Sequence, residues 1–406
     1  MSPTAEPVKK TAQHAHQLEF QVITDLERLD ALEPEWNELW SARQSPEPMQ
    51  SYRWLRAWWR HYGAERSLAI GLLRDRGRLI GIAPCCMRRF RYLPGLGFRR
   101  LEWLGASEGE GDSIASEYLG LLVMPGYEYA VAEAFAEGVE NGAFGTWDEC
   151  VLEMMRGDAE TTVVLESALL ESFGDSLDRV VAMEAPFVAL PSDWNGYLAS
   201  LGRKRRLVSN ALRDFETWCG DGGYVLRRAA DRPTFDKAYA SLVELHEERW
   251  RADGGVGAFS RPRFAAFHAD VAWRMLSEER AEFLWLERHG QAIAAHYLIK
   301  GDDRTLFYQS GRRMDVPSDI RLGVVIMALA IKDAIMRGDK EFDLLGGKSQ
   351  YKMMFTREVR PLVRLRVARD GWRELTRRSL ITLRDLARAV PARLQSRRRP
   401  QPSRSD

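Results

Sequence analysis

This sequence lacks the features that mark a secreted, membrane-spanning or zinc-binding protein. It has four cysteines and no CxxC pair, which argues against a disulfide framework and against a zinc site. The first sixteen residues contain no apolar core, so they do not form a secretory signal. The longest apolar run, Leu322 to Ile331, has ten residues, whereas a membrane span needs about 20. We therefore predict a cytoplasmic protein.

Strong charge of one sign and the common catalytic signatures are also missing. The formal net charge of +1 over 406 residues gives no whole-protein reason to expect a nucleic-acid partner. No Ser-His-Asp arrangement, HExxH, complete P-loop or full GxGxxG occurs, and we predict no metal ion. A chain of this length is instead sufficient for two ordinary domains.

Composition and turn residues divide the chain into four parts. The predicted parts are a disordered tail (1–17), an N-terminal domain (18–188), a C-terminal domain (189–370) and a basic tail (371–406). Pro186 and Pro191 mark the central boundary. A helix is expected from a cap at Ser192 or Asp193 through Trp218.

Two local matches predict an internal duplication. The hairpin around Gly77 (RDRGRLIGIAP) parallels the one around Gly290 (ERHGQAIAAHY). The helix-to-strand passage around Trp147 parallels the passage around Phe342. The predicted fold class is therefore α/β (α+β), with two related domains that each have a mixed sheet flanked by helices.

An aromatic helix is predicted at SYRWLRAWWRHYG, where Trp54, Trp58 and Tyr62 recur at helical spacing. Such a face packs into a core, and the alternative is a surface that meets carbohydrate or lipid.

The segment FDLLGGKSQYK, from Phe342 to Lys352, is the strongest candidate for a functional site. A buried strand leads into paired glycines and then into a Tyr-Lys pair, and open α/β sheets bind ligands at such strand ends. Asp343 must be paired or lie at the edge of a cleft, because an unpaired buried carboxylate is costly. Tyr351 could protonate a leaving group and Lys352 could bind a phosphate. The alternative is a loop with a solvated lysine.

A second candidate is the helix that opens near Ser318 and ends at Gly338. The unpaired N–H groups of its first turn suit a pyrophosphate, with help from Arg321 and from close approach at Gly323. The alternative is an ordinary helix capped by Asp319.

Basic and aromatic residues on two other helices complete the set of candidates. In LHEERW, His246 could act as a base, while Arg249 and Trp250 could contact a substrate. The alternative is an ion pair on a helix surface with an aromatic anchor. Arg205 and Arg206 lie in a basic run that either contacts a phosphorylated substrate or is simply solvated.

The tail beyond Trp372 contains ten arginines, Glu374 and two aspartates. Leucines recur among these arginines at helical spacing, which predicts a basic amphipathic helix on an anionic membrane or a partner, or else a frayed solvated tail.

Taken in order, WLRAWWRHYG, RLIGIAP, LEWLG, GRKRRLVSNALRDFE, LHEERW, GQAIAAHYLI and FDLLGGKSQYK make the chain resemble the CelD/BcsL-type acetyltransferases. That family is linked to cellulose and exopolysaccharide synthesis, is GNAT-like, and is related to the FemABX aminoacyl transferases. The resemblance implies tandem GNAT-like domains. One departure is that only the beginning of the usual Q/R-x-x-G-x-G/A loop fits, at Arg321 to Val325.

The resemblance also implies a function, which is acyl transfer from acetyl-CoA or another acyl-CoA to a hydroxyl or amine of a saccharide precursor. The expected base is His246 or Asp343 and the expected acid is Tyr351. Ser318, Arg321, Gly323 and Lys352 are expected around the donor. The alternatives are FemABX-like aminoacyl transfer and a non-catalytic binding module in exopolysaccharide assembly.

Overall fold

The structure is a computed structural model that describes residues 18–106, 108, 113–220, 223–316 and 321–383. Within these residues all thirteen strands belong to one mixed sheet. The predictions for 1–17, 384–406 and Ser318 lie outside the described residues. No described helix is long and apolar enough to cross a membrane.

The strands are β1 (Leu18–Ile23), β2 (Arg66–Asp75), β3 (Arg78–Leu93), β4 (Leu96–Trp103), β5 (Leu122–Val123), β6 (Glu149–Arg156), β7 (Leu177–Ala189), β8 (Tyr224–Arg228), β9 (Ala281–Arg288), β10 (Gln291–Lys300), β11 (Arg304–Arg312), β12 (Glu341–Asp343) and β13 (Glu358–Ala368). The helices are α1 (Leu26–Ala31), α2 (Glu33–Ser41), α3 (Tyr52–Tyr62), α4 (Glu128–Glu140), α5 (Glu160–Phe173), α6 (Trp194–Ser200), α7 (Arg205–Gly220), α8 (Arg232–Ala252), α9 (Pro262–Ser277), α10 (Leu322–Arg337) and α11 (372–383).

The order of the strands in the sheet shows two similar halves that exchange their last strands. In the first half the antiparallel strands β2, β3 and β4 are followed by α4 and by β6, which is parallel to β4. In the second half β9, β10 and β11 are followed by α10 and by β12, which is parallel to β11. The last strand of each half then pairs with the other half, so that β13 lies beside β6 and β7 lies beside β12. The repeated order of strands and helix confirms the predicted duplication. Because β7 and β13 also pair with each other, the two halves share one sheet.

The matched hairpins have the same backbone conformation. Arg76 and Gly77 have φ values of 50° and 81°, and His289 and Gly290 have values of 49° and 78°. Two successive left-handed residues form the turn that suits the twist of a two-residue hairpin, and glycine relieves the strain at the second position. The match between the passages around Trp147 and Phe342 needs a shift in register. Glu149 and Glu341 are each the first residue of their strand to pair with the parallel neighbour, so these two residues are equivalent, and not Trp147 and Phe342.

The aromatic helix α3 belongs to the core, and this corrects the carbohydrate- or lipid-facing alternative. Trp54 and Trp58 are 1% and 0% exposed, and the ring of Trp54 packs against Phe267 of α9 with ring centroids 4.9 Å apart. Helix α3 therefore packs the first half against the second through apolar burial.

Several helix ends follow from local sequence. Helix α10 ends at Gly338, whose φ of 84° is the left-handed conformation predicted for this glycine. Asp193 caps α6 by accepting a hydrogen bond from the Gly196 N–H at 2.8 Å, as predicted. The single helix expected through Trp218 is wrong, however. The chain breaks at Gly202, where φ is 56°, and resumes as α7.

Pro186 lies inside β7 and not in a linker. Its carbonyl accepts a hydrogen bond from the Leu344 N–H at 2.9 Å, just after β12 has ended. A residue of an antiparallel strand points its N–H and C=O to the same side, so the N–H that proline lacks would face the side where β12 has ended. The limits of the two domains, at 18–188 and 189–370, stay a prediction.

Candidate active site

The parallel strands β11 and β12 separate after a short stretch, which leaves an opening in the sheet. They pair only from Arg304 to Leu306 and from Glu341 to Asp343. Strand β11 continues to Arg312. After β12 ends at Asp343, by contrast, the polypeptide leaves the sheet as a loop that runs to the start of β13. This loop follows β7 loosely, because the Gly347 N–H donates to the carbonyl of Glu184 at 3.0 Å. The predicted site, Phe342 to Lys352, therefore lies beside a real gap between strands.

Lys352 holds the loop in place. Its ammonium group donates to the carbonyl oxygens of Leu345 and Gly346 at 3.0 and 2.6 Å. Burial lowers the pKa of Lys352, and the negative charges of Glu117 and Asp343 oppose that shift. Lys352 is therefore half-buried and close to two carboxyl groups.

Glu117 comes to the same loop from the first half of the chain. Both of its carboxylate oxygens accept the Gly346 N–H, at 2.7 and 2.9 Å, and the side chain is 4% exposed. Burial, together with the negative charge of Asp343, raises the pKa of Glu117 to about 8. The Gly346 N–H and Lys352 act in the opposite direction. The site thus contains a carboxyl group that titrates near neutral pH.

The segment that carries Glu117 (113–121) is fixed by contacts from both halves. The indole N–H of Trp54 donates to the Ser116 hydroxyl at 2.9 Å, and the Tyr308 hydroxyl of β11 donates to the Ile114 carbonyl. The Gln50 amide donates to the Tyr118 carbonyl at 2.8 Å. The sequence analysis did not single out Glu117. The available signal was an acidic residue directly before an apolar run.

Asp343 is fully buried and paired, as its place in an apolar strand required. One carboxylate oxygen accepts the Leu345 N–H at 2.7 Å, and the other lies 3.6 Å from the guanidinium of Arg360 on β13. Burial raises the pKa of Asp343, and Arg360 opposes this. Its predicted role as the base stays a prediction.

Tyr351 connects the loop to the first turn of α10. Its hydroxyl donates to the Gly323 carbonyl at 2.8 Å. A side-chain carbon added to Gly323 would lie 3.3 Å from the Tyr351 ring, so this contact favours a glycine. Burial raises the pKa of Tyr351 well above its usual value, while the nearby charges of Arg249 and Arg312 lower it. The structure thus brings together Gly323, Tyr351 and Arg249, three residues that the sequence singled out separately.

Three arginines surround this end of α10. Arg321 is the N-cap residue of the helix and makes no side-chain capping bond. Arg312 and Arg321 are exposed and Arg249 is half-buried. Within the part of the chain that the structure describes, no ion pair joins any of the three to a carboxylate. Unpaired guanidinium groups next to a helix N-terminus form a surface that attracts anions.

His246 is placed behind this surface and not in it. It is 3% exposed, and its Nε2 accepts the indole N–H of Trp250 at 2.9 Å. Burial, together with the charge of Arg249, lowers its pKa to about 4, so the ring is neutral at pH 7. To take up a proton at Nε2, His246 would have to lose the bond from Trp250. This geometry fits the aromatic-anchor alternative, and the role of base stays a prediction.

Arg205 and Arg206 are exposed at the start of α7. The preceding Lys204 donates its ammonium group to the carbonyl of Met353, in the turn that contains Lys352. The basic run therefore lies next to the candidate site, although neither arginine has a described contact with it. Their predicted contact with substrate stays a prediction.

A cleft of about 320 Å³ lies elsewhere, between α1, α3 and α9. Its arginines are already paired with carboxylates, Arg56 with Asp30 at 2.5 Å and Arg60 with Asp270. We therefore base the candidate site on the chemistry at the opening in the sheet. Among the described residues, no cluster of three or more His, Cys, Asp or Glu side chains is arranged to hold a metal ion.

Comparison with known proteins gives a family match within the second half of the chain. A family model described as an acetyltransferase (GNAT) domain matches residues 202–353, from the turn before α7 to the turn that contains Lys352. Among solved structures, the crystal structure of FemX aligns with a TM-score of 0.57 at 10% identity, covering 86% of this chain and 97% of that one. The C-terminal domain of a proposed lysylphosphatidylglycerol synthetase from Agrobacterium fabrum aligns with a TM-score of 0.50 at 10% identity, covering 88% and 96%.

At these identities the solved structures show the fold alone. The predicted GNAT-like fold, with a mixed sheet flanked by helices, is confirmed. No curated protein matches the sequence. The resemblance to the CelD/BcsL-type family stays a prediction.

Proposed function

We propose that this protein is an acyltransferase that moves an acyl group from acyl-CoA to a hydroxyl or amine of a sugar, a sugar-nucleotide or an exopolysaccharide precursor. One observation carries the proposal. The opening between β11 and β12 has Lys352 and Glu117 beside it, and three arginines that form no ion pair among the described residues surround the nearby end of α10. The match of this half to a GNAT acetyltransferase domain supports acyl transfer as the type of reaction.

Positive charge near the start of α10 supports coenzyme A as the carrier of the donated acyl group. Coenzyme A carries a pyrophosphate and a further phosphate, and phosphates bind guanidinium groups and helix N-termini. Arg249, Arg312 and Arg321 supply the guanidinium groups, and α10 supplies the positive end of its dipole at its N-terminus. In this arrangement the thioester arm extends into the opening along the unpaired part of β11.

The reaction needs one proton acceptor and one group that stabilises the departing sulfur. The acceptor oxygen or nitrogen attacks the thioester carbonyl, the new C–O or C–N bond forms, and the C–S bond breaks with its electron pair on sulfur. Glu117 fits the task of taking the acceptor's proton, since its pKa of about 8 lies near neutral pH. The ammonium group of Lys352 fits the task of stabilising or protonating the thiolate. Tyr351 then positions the loop through Gly323.

Thiol release from acetyl-CoA, measured with a panel of sugars and amino sugars as acceptors, tests this function. We expect acceptor-dependent release by the wild-type protein, and a fall of about 100-fold or more in kcat for Lys352→Gln. The control is Lys348→Gln, four residues away in the same loop, where the exposed ammonium pairs with Glu184 at 3.1 Å. Equal activity of the two variants would remove Lys352 from the chemistry.

Aminoacyl transfer is the second candidate. The exposed Arg205 and Arg206 directly follow Lys204, which contacts the turn that contains Lys352, and a tRNA backbone would bind such cations. One solved structure with this fold is a proposed lysylphosphatidylglycerol synthetase. Filter binding of aminoacyl-tRNA at several salt concentrations separates the donors, because a bound tRNA gives a steep loss of affinity with salt. Binding of neither donor by folded protein would favour a non-catalytic binding module.

A further inference from the structure

Helix α11 presents an apolar stripe to solvent. Trp372, Leu375 and Leu383 are 62%, 66% and 62% exposed. Their spacing along the helix places them on one side of it. The three side chains therefore form one exposed apolar stripe along α11.

The hydroxyl residues on the same side do not make the stripe polar. The Thr376 hydroxyl donates to the Trp372 carbonyl at 2.7 Å, and the Ser379 hydroxyl donates to the Leu375 carbonyl at 2.9 Å. Because these donors are satisfied within the helix, covering the stripe would leave no new unpaired hydroxyl donor.

The orientation of α11 is fixed by a buried ionic cluster on its other side. Glu374 is 2% exposed and binds Arg366 of β13, with two N–O distances of 2.6 and 3.1 Å. Arg377 and Arg378 also donate to this carboxylate. Since Glu374 is held against β13, the opposite side of the helix must face away from the protein.

The charge around the stripe is positive. Glu374 is the only acidic residue in 372–383 and it is buried, whereas the side chains of Arg373, which also pairs with Asp148 at 3.3 Å, and Arg378 are 42% and 52% exposed. The sequence from 384 to 406 adds seven arginines against two aspartates. A partner for this face must therefore be both apolar and anionic.

We propose that this face of α11 lies on an anionic lipid surface, with Trp372, Leu375 and Leu383 inserted among the lipid chains and the arginines at the headgroups. Tryptophan beside leucine and arginine is the composition of helices that lie in a membrane interface. Anionic headgroups complement the exposed cations at this face.

The surface is distinct from the candidate active site. Strand β13 separates α11 from the turn that contains Lys352, and its eleven residues span roughly 35 Å. The proposal therefore does not depend on acyl transfer. Failure of the enzymatic assays would leave it standing.

Quenching by brominated lipids tests the contact at one side chain in the full-length protein. The vesicles contain brominated phosphatidylcholine, with and without phosphatidylglycerol. We expect tryptophan fluorescence to be quenched only by the anionic vesicles, and most of the quenching to disappear in Trp372→Phe. Trp250→Phe is the matched control, because Trp250 is also exposed, at 40%, but lies on α8. Quenching in Trp372→Phe as strong as in the wild type would overturn the proposal.

Vesicle co-sedimentation then separates the stripe from the arginine-rich sequence that follows it. The double variant Trp372→Ser/Leu375→Ser keeps every arginine, and we expect its binding to anionic vesicles to fall at least about tenfold. The control Val163→Ser/Leu170→Ser removes two exposed apolar side chains from α5, which are 52% and 56% exposed, and should bind like the wild type. Unchanged binding of the first double variant, or binding of RNA without binding of vesicles, would contradict the proposal.

Discussion

The backbone N–H of Gly346 donates to both carboxylate oxygens of Glu117, at 2.7 and 2.9 Å, across 229 positions of sequence. Gly346 lies in the loop where β11 and β12 separate, and Glu117 comes from the first half of the chain. The second half, which matches the acetyltransferase model, therefore includes in its candidate site a buried group that the first half supplies. The halves are also joined through the sheet, because β7 pairs with β12 and β13 pairs with β6.

Glu117 should make stability depend on pH in a defined direction. Its pKa in the folded protein, about 8, lies above the ordinary value, so the folded state binds a proton that the unfolded state releases. Its contribution to the free energy of unfolding is therefore complete below about pH 4.5 and is lost as the pH rises through about 8. The wild type should lose stability over this range relative to Glu117→Gln, as measured by urea denaturation at a series of pH values. The charges of Asp343 and Lys352 also act on the Glu117 carboxyl group. Urea denaturation of Asp343→Asn and Lys352→Gln at the same pH values therefore shows how much of the pH dependence comes from these two neighbours. A difference between wild type and Glu117→Gln that stays constant with pH would contradict the high pKa.

Replacing Lys352 with alanine should weaken donor binding while the fold is kept. The change removes two charge-assisted hydrogen bonds, to Leu345 and Gly346, and we expect a loss of about 1–3 kcal/mol in the free energy of unfolding. Circular dichroism and urea denaturation measure the fold and its stability, and calorimetric titration measures the affinity for acetyl-CoA. Loss of the native spectrum would mean that the lysine is needed for folding.

Arg360 should be among the most sensitive positions for stability. It is 2% exposed, pairs with Glu341, and lies 3.6 Å from Asp343. Arg360→Met leaves the buried carboxylate of Asp343 and the partly buried carboxylate of Glu341 without this partner, and should cost about 3–5 kcal/mol in the free energy of unfolding. Adding Glu341→Gln should recover part of the loss, since one of the uncompensated charges is then removed.

The control is Arg179→Met, where a partly exposed arginine pairs with Glu166 at 2.8 Å. That change should cost about 1 kcal/mol or less. Similar losses for Arg360 and Arg179 would show that burial does not govern the strength of these pairs.

Gly323→Ala should separate donor affinity from stability. The new methyl group would lie 3.3 Å from the Tyr351 ring and force the ring to move, although alanine favours the helix by up to about 1 kcal/mol. We expect a small change in the free energy of unfolding and a several-fold rise in the Kd for acetyl-CoA. Gly220→Ala is the control, because a methyl group at that helical glycine meets nothing within 4 Å. Equal affinities of the two variants would show that the Tyr351–Gly323 contact does not shape the donor site.

The local features of the fold were predictable because they depend on neighbouring residues. The hairpin turns at Gly77 and Gly290, the end of α10 at Gly338 and the loop after Phe342 each follow from turn chemistry and apolar patterning. These features also led to the correct prediction of two similar halves. The break between α6 and α7 at Gly202 was missed, because a glycine within a helical pattern does not by itself show whether the helix continues.

The contacts that build the candidate site were not predictable in the same way, because they join distant parts of the chain. The alternating pattern of EVRPLVRLRVA is typical of a strand, but nothing in it shows that β13 pairs with β6 of the first half. Glu117 has no partner near it in sequence, and its contact with Gly346 forms only when the halves pack together. His246 was favoured as a base from its residue type, whereas its burial and its bond from Trp250 depend on tertiary structure.

Calorimetric titration of acetyl-CoA into the wild-type protein and into Arg321→Ala and Arg312→Ala tests the central claim most directly. The account predicts binding by the wild type and a rise in Kd of about tenfold or more in each variant, because each loses a charge-assisted contact with a phosphate. Arg91→Ala, which removes an exposed arginine from β3 of the first half, should bind like the wild type. The absence of acetyl-CoA binding by folded wild-type protein, or equal affinities in all of the variants, would contradict the account.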